Sequence, residues 1–137
     1  MDYQNLISGI EAREGFRGMP YDDTRNYATI GYGTLLPISK QEAEALLKER
    51  LKNSVQELLN EKPFVVGLPE EIQEVLAEMS YQLGVPKLML FKKMWTAVER
   101  HDWAGMIKEM YDSLWYKQTP DRVDALVAKV TNYINQN

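Results

Sequence analysis

Apolar residues fall into two regimes along the chain, helical at both ends of the sequence and irregular in one stretch near the start. Tyr3, Ile7, Ile10 and Glu14 stand at i, i+4, i+7 and i+11, a narrow stripe on one helical face. Gly15 then supplies a stop, so residues 3–14 read as a helix whose apolar stripe ends on a carboxylate. Residues 16–37 lose this period and are rich in Gly, Pro, Asp, Asn and Thr, as turns and short strands are. Within them Tyr27, Thr29, Ile30 and Tyr32 favour strand, and Gly31 and Gly33 point to close backbone approach or a bulge.

Helical spacing resumes at Ser39-Lys40-Gln41-Glu42, which fits the S-x-x-E capping box. Behind it Ala43, Leu46, Leu47, Leu51, Val55, Leu58 and Leu59 predict an amphipathic helix over 40–61, closed by Pro63. At about 1.5 Å per residue it spans about 30 Å, enough to join two lobes. Pro69 reads as a first-turn proline before Ile72, Val75, Leu76, Met79 and Leu83, with Gly84 as the stop. The apolar piece Leu88 to Phe91 leads to a helix near 93–100, and Asp102 caps another carrying Trp103, Met106, Ile107 and Met110. Thr119-Pro120 opens a last helix with Val123, Leu126, Val127 and Val130 on one side. The predicted class is α+β, mostly helical: one domain over 1–137, with a small β-containing lobe and connecting helix at 15–60. Residues 1–14 and 61–137 are assigned to a larger helical lobe, with a cleft between the lobes.

Composition narrows the chemistry. At 137 residues, 45% hydrophobic and 26% charged, the chain can bury a core and is not a disordered protein. It has no cysteine, which excludes disulfides, thiolate metal sites and a cysteine nucleophile. A single histidine, His101, rules out a His-rich metal cage and argues against a Ser-His-Asp triad; beside Arg100 and Asp102 it reads as surface or capping. No metal or organic cofactor is expected. No apolar run approaches the roughly 20 residues needed to cross a bilayer, and the opening residues do not read as a signal peptide. Residues 1–86 carry 8 Lys/Arg against 14 Asp/Glu, residues 87–137 carry 8 against 6, and the basic residues are scattered. Nucleic-acid binding, which needs a basic cluster near aromatics, is not expected. The methionines and Trp95, Trp103 and Trp115 are interleaved with aliphatics and read as core.

The irregular stretch carries the candidate chemistry. Glu14 closes an apolar stripe at a helix carboxyl end, where the macrodipole and partial burial would both favour the protonated form that a general acid needs. Asp23 lies in a polar loop where solvent and backbone N–H groups can keep a carboxylate charged. One acid held neutral beside one held charged is the arrangement for glycoside hydrolysis. Asp-Asp is also ordinary turn chemistry, and Asp22 fits as well as Asp23 on these grounds.

Spacing distinguishes them. Glu14, Asp23 and Thr29, with eight and five residues between, resemble the Glu-x8-Asp-x5-Thr signature of the T-even phage lysozymes, glycoside hydrolase family 24. Tyr21 and Thr29-Ile30-Gly31-Tyr32-Gly33 fit the surrounding motif. "SLWYKQTPDR", Ser113 to Arg122, and "MSYQLGV", ending at Val85, resemble two further blocks of the family in the right order. The resemblance implies a muramidase with a lysozyme-like fold that cuts peptidoglycan glycan strands with inversion. In it Glu14 is the general acid, Asp23 the base or electrostatic partner to water, and Thr29 positions that water. It further implies Arg122 as the partner of Glu14, Tyr21 in support, and Tyr81, Gln82, Gly33 and Leu35 near the sugar. It implies a monomer without membrane insertion, held in the host cytoplasm until a separate holin opens a route to the cell wall. Two departures stand out: Thr34 replaces the histidine often found after the glycine run, and the connection from Thr34 to Ser39 is short. The alternative function is a catalytically inactive module of the same scaffold that binds peptidoglycan or a protein partner.

Overall fold

A computed structural model describes residues 1–137. The elements run α1 (Tyr3–Glu14), β1 (Arg17–Asp22), β2 (Ala28–Gly31), β3 (Thr34–Leu35), α2 (Lys40–Glu61), a 3-10 turn (Pro63–Gly67), α3 (Glu70–Leu83) and α4 (Val85–Leu88). They continue with α5 (Lys92–Glu99), α6 (Trp103–Tyr111), α7 (Leu114–Gln118) and α8 (Pro120–Gln136). About 70% of the chain is helical beside one three-stranded antiparallel sheet, the mostly helical α+β class expected. Two compact units emerge, Met1–Leu46 and Leu47–Asn137. The first therefore holds α1 together with the sheet, whereas the sequence grouping had residues 1–14 in the helical lobe, and the boundary falls inside α2.

In the first unit β1 pairs with β2 and β2 with β3. The register of β1 slips between Arg17 and Tyr21, around Gly18 and Pro20. Proline has no N–H for the ladder, which explains why the bulge sits there and not at Gly31 or Gly33. Thr29 and Ile30 lie in β2 as expected, but Tyr27 stays in the preceding loop and Tyr32 in the following turn. Both Gly31 and Gly33 take positive φ, 70° and 72°, which ends the strand and turns the chain. Thr29 is the only fully buried residue here, at 2% exposure. The α1 stripe expected to face a core is exposed at Tyr3, Ile7, Ile10 and Glu14, because a sheet with strands this short offers no apolar face wide enough to cover it. Capping holds α1 instead: the Asp2 carboxylate accepts the Asn5 N–H at 3.0 Å.

The second unit contains the whole hydrophobic core. Ile72, Val75, Leu76 and Met79 of α3 pack with Met94 and Val98 of α5, Met106 and Met110 of α6, and Val123 and Val130 of α8. All are at most 1% exposed. The helix starts follow the sequence signals. Ser39 and Glu42 form the capping box reciprocally, at 3.0 and 2.9 Å; Asp102 accepts the Gly105 N–H at 3.0 Å. Gly84, at φ 83°, stops α3. Along α2 only Leu58 is buried, and the apolar positions from Ala43 to Leu51 are exposed. The predicted apolar seam is thus covered only over the last turns. No helix is long and apolar enough to cross a membrane.

Candidate active site

Glu14 is the last residue of α1, and the carboxyl lies against the turn after β2. A Cβ added to Gly33 would stand 2.5 Å from Glu14 Oε2 and 2.7 Å from its Cδ. Gly33 is therefore demanded twice, by its left-handed backbone and by the acid that occupies the space a side chain would need. Two further contacts bind helix and turn. The Phe16 and Tyr32 rings lie 5.6 Å apart. The Glu11 carboxylate, one helical turn before Glu14, pushes the Tyr32 phenol above its ordinary value, chiefly by its charge. Glu14 itself is exposed rather than partly buried, since none of α1 is buried.

Asp23 opens the loop between β1 and β2. One carboxylate oxygen accepts the N–H groups of Arg25 at 2.8 Å and Tyr27 at 2.9 Å, and the Arg25 guanidinium stands 3.7 Å from the other oxygen. Its own N–H donates to the Tyr27 carbonyl at 2.9 Å, and its carbonyl accepts from Asn26. The Tyr27 N–H, above all, holds the Asp23 carboxyl below its ordinary value; burial opposes it, and the Arg25 N–H and guanidinium add to the lowering. Backbone donors thus keep this acid charged, as expected, and the same bonds make it the keystone of its loop. Asp22, beside it, ends β1 opposite Ala28 and is exposed.

Thr29 is paired with Tyr21 on one side and Leu35 on the other, in the middle of the sheet. Its hydroxyl donates to the Tyr27 carbonyl at 2.8 Å, which leaves only lone pairs for another partner. Tyr21 is half-buried under the Arg17 guanidinium, 4.4 Å from its ring centre, and Leu35 is exposed. Register spaces these groups. Asp22 pairs with Ala28 and Arg17 with Gly31, so the loop bearing Asp23 and the turn holding Glu14 flank a strand with a backbone span of about 10 Å. Thr29 lies between them.

The remaining candidates belong to the helical unit. Gln82 accepts the Trp115 indole N–H at 2.9 Å and donates to the Thr119 hydroxyl at 3.4 Å, and that hydroxyl donates to the Trp115 carbonyl at 3.2 Å. The "MSYQLGV" and "SLWYKQTPDR" blocks are therefore joined by a hydrogen-bond network around a buried indole. Arg122 donates its Nε to Glu78 at 3.1 Å, in α3, while Glu14, the partner that resemblance assigned to it, belongs to the other unit. Tyr81, exposed, and Gln82 line a cavity with Arg122. Sequence reasoning overlooked Glu11, although it lies three residues before Glu14 on the same helix, and Arg50, Asn53 and Ser54, which line that cavity from what reads as a solvated face.

The chain is similar to several known proteins. The family model described as "Phage lysozyme" matches residues 11–131. Probable T4-type lysozyme 1 of Dictyostelium discoideum is 24% identical over 85% of this chain and 88% of its own length. Probable T4-type lysozyme 2 of the same organism is 26% identical over 90% and 92%. The pre-baseplate central spike protein Gp5 of Enterobacteria phage T4 is 28% identical over 86% of this chain, which corresponds to 26% of that longer protein. Matches of this breadth support a glycoside hydrolase with a muramidase-like function, and the family implies peptidoglycan as the substrate.

Proposed function

Because the chain belongs to the phage lysozyme family, we propose that it hydrolyses the β-1,4 bond between N-acetylmuramic acid and N-acetylglucosamine, with inversion at the anomeric carbon. Glu14 donates its proton to the leaving glycosidic oxygen. Asp23, charged, draws a proton from water or stabilises the positive charge that develops on the sugar ring. A water between them donates a hydrogen bond to the lone pairs of Thr29. Inversion needs carboxyl groups about 6.5–9.5 Å apart, so that a water fits on the far side of the ring. The loop bearing Asp23 and the turn against which the Glu14 carboxyl lies flank β2, whose four residues span about 10 Å.

The observation that carries this reading is the contact of the Glu14 carboxyl with Gly33 at one end of β2, while N–H groups keep Asp23 ionised at the other. Release through a holin-made opening and action as a monomer belong to the same proposal. A turbidity assay on permeabilised Gram-negative cells tests it. Wild-type protein should clear the suspension. Glu14→Gln should fold and bind cell wall but lose lysis, because an amide has no proton to give. Asp23→Asn should be strongly impaired and Asp22→Asn nearly silent. Lysis by purified Glu14→Gln at the wild-type rate would refute the role of Glu14, and the reverse order of the two aspartates would shift the second acid by one residue. Wild-type protein that binds cell wall without clearing it would be an inactive module.

A further inference from the structure

The loop that carries Asp23 closes between Asp23 and Tyr27, where β1 turns into β2. The Asp23 N–H donates to the Tyr27 carbonyl and the Asn26 N–H to the Asp23 carbonyl, both at 2.9 Å. This is the pattern of a tight turn followed by one left-handed residue, a common way to connect two hairpin strands, with glycine its usual occupant. Asn26 fills the left-handed position, at φ 65°. Asparagine tolerates that region better than most residues with a side chain. The Asn26 side chain is exposed, so what the position supplies is a backbone direction. That direction governs the next amide. With the Asn26 N–H on the Asp23 carbonyl, the Tyr27 N–H is left for the side chain and meets one carboxylate oxygen at 2.9 Å. The Arg25 N–H reaches the same oxygen at 2.8 Å. Two donors on one oxygen fix the rotation of the carboxylate as well as its place.

We propose that Asn26 is the positioning residue of the second acid: its left-handed backbone turns the Tyr27 N–H onto Asp23, which fixes the direction in which the carboxylate presents its other oxygen to the attacking water. The inference rests on the reading of Asp23 as the base or electrostatic partner. Asn26 itself touches neither sugar nor water. A residue that resists positive φ lets the turn relax, the Tyr27 N–H swing away and the carboxylate rotate. Glycine keeps all three in place.

Wild type, Asn26→Ala and Asn26→Gly, each as the full chain, test this. An NMR titration of the Asp23 carboxyl is read beside kcat and KM on solubilised peptidoglycan strands. In the wild type the Arg25 and Tyr27 amide protons should shift along the Asp23 titration curve, since both are bonded to that group. Asn26→Ala should move the curve to higher pH and release the Tyr27 amide from it. It should also lower kcat about ten-fold with KM little changed, as a loss of orientation does. The acid limb of the pH profile should move to higher pH as well, because a carboxylate that loses a donor is protonated more readily. Asn26→Gly should match the wild type throughout. The Arg25 guanidinium, Asp22 and the Tyr27 phenol are the same in every form, so a difference between alanine and glycine reports the backbone. An Asp23 curve or a kcat unchanged in Asn26→Ala, or an Asn26→Gly form as impaired as Asn26→Ala, would overturn the proposal. So would wild-type Arg25 and Tyr27 amides that ignore the Asp23 titration, a result that requires no variant to fold. Titration also separates the two readings, since it needs no hydrolysis. Titrations that differ as expected, beside a wild type that never cuts glycan, sink the muramidase alone; cleavage with identical titrations sinks the positioning alone.

Discussion

Gly33 combines a φ of 72° with the Glu14 carboxyl packed over its Cα. A left-handed backbone costs an ordinary residue about 1–2 kcal/mol, and a methyl group 2.5 Å from Oε2 must displace the acid. Gly33→Ala should therefore cut lysis by at least about ten-fold for a stability loss of only about 1–2 kcal/mol. Thermal unfolding and the turbidity assay on one preparation check this; full activity would show that Glu14 needs no cradle. At this scale the sequence showed the Glu14, Asp23 and Thr29 spacing and the glycines, because backbone conformation writes itself into residue type. Pairings were less legible. A guanidinium such as Arg122 has several carboxylates to choose from, and Glu78 became visible only once α3 and α8 were packed together. The backbone donors expected at Asp23 proved to be two N–H groups of its own loop, Arg25 and Tyr27, on a single carboxylate oxygen.

Among the elements, α2 depends most on its first turn, since its apolar positions up to Leu51 are exposed. The Ser39 N–H, followed by the Ser39 hydroxyl, holds the Glu42 carboxyl below its ordinary value of 4.5. A folded value lowered in this way stabilises above the unfolded value, and the contribution is lost as pH falls through the folded one. Protection of the first-turn amides of α2, relative to their intrinsic exchange rate at each pH, should accordingly fall as the pH drops below about 4.5, and in Ser39→Ala it should be low at every pH, with a loss of about 1 kcal/mol. Protection unchanged from pH 6 to 3 would count against the box. Caps, prolines and stops made the helix boundaries readable from the sequence. The bulge in β1 and the short α7 were not, because neither leaves a period long enough to detect. Nor does amphipathicity say whether a stripe will be covered, as α1 demonstrates.

In the molecule as a whole, burial is concentrated in one unit. Every core residue lies between Leu58 and Val130, whereas Met1–Leu46 buries only Thr29. A segment of 46 residues without an apolar core lacks the burial that offsets the entropy of ordering it. Residues 47–137 alone should then unfold cooperatively with helical circular dichroism, and residues 1–46 alone should give no thermal transition; a cooperative transition in the shorter piece would contradict this. Both candidate acids belong to the unit that lacks a core, so the chemistry depends on caps, turns and glycines more than on packing.

The indole of Trp115 donates its N–H to Gln82, whose residue also forms part of the wall of the arginine-lined cavity. Anything that enters this space and draws the amide toward itself alters the polarity felt by a buried fluorophore. The chain thus carries an intrinsic optical reporter of occupancy, readable from its ultraviolet emission without a label.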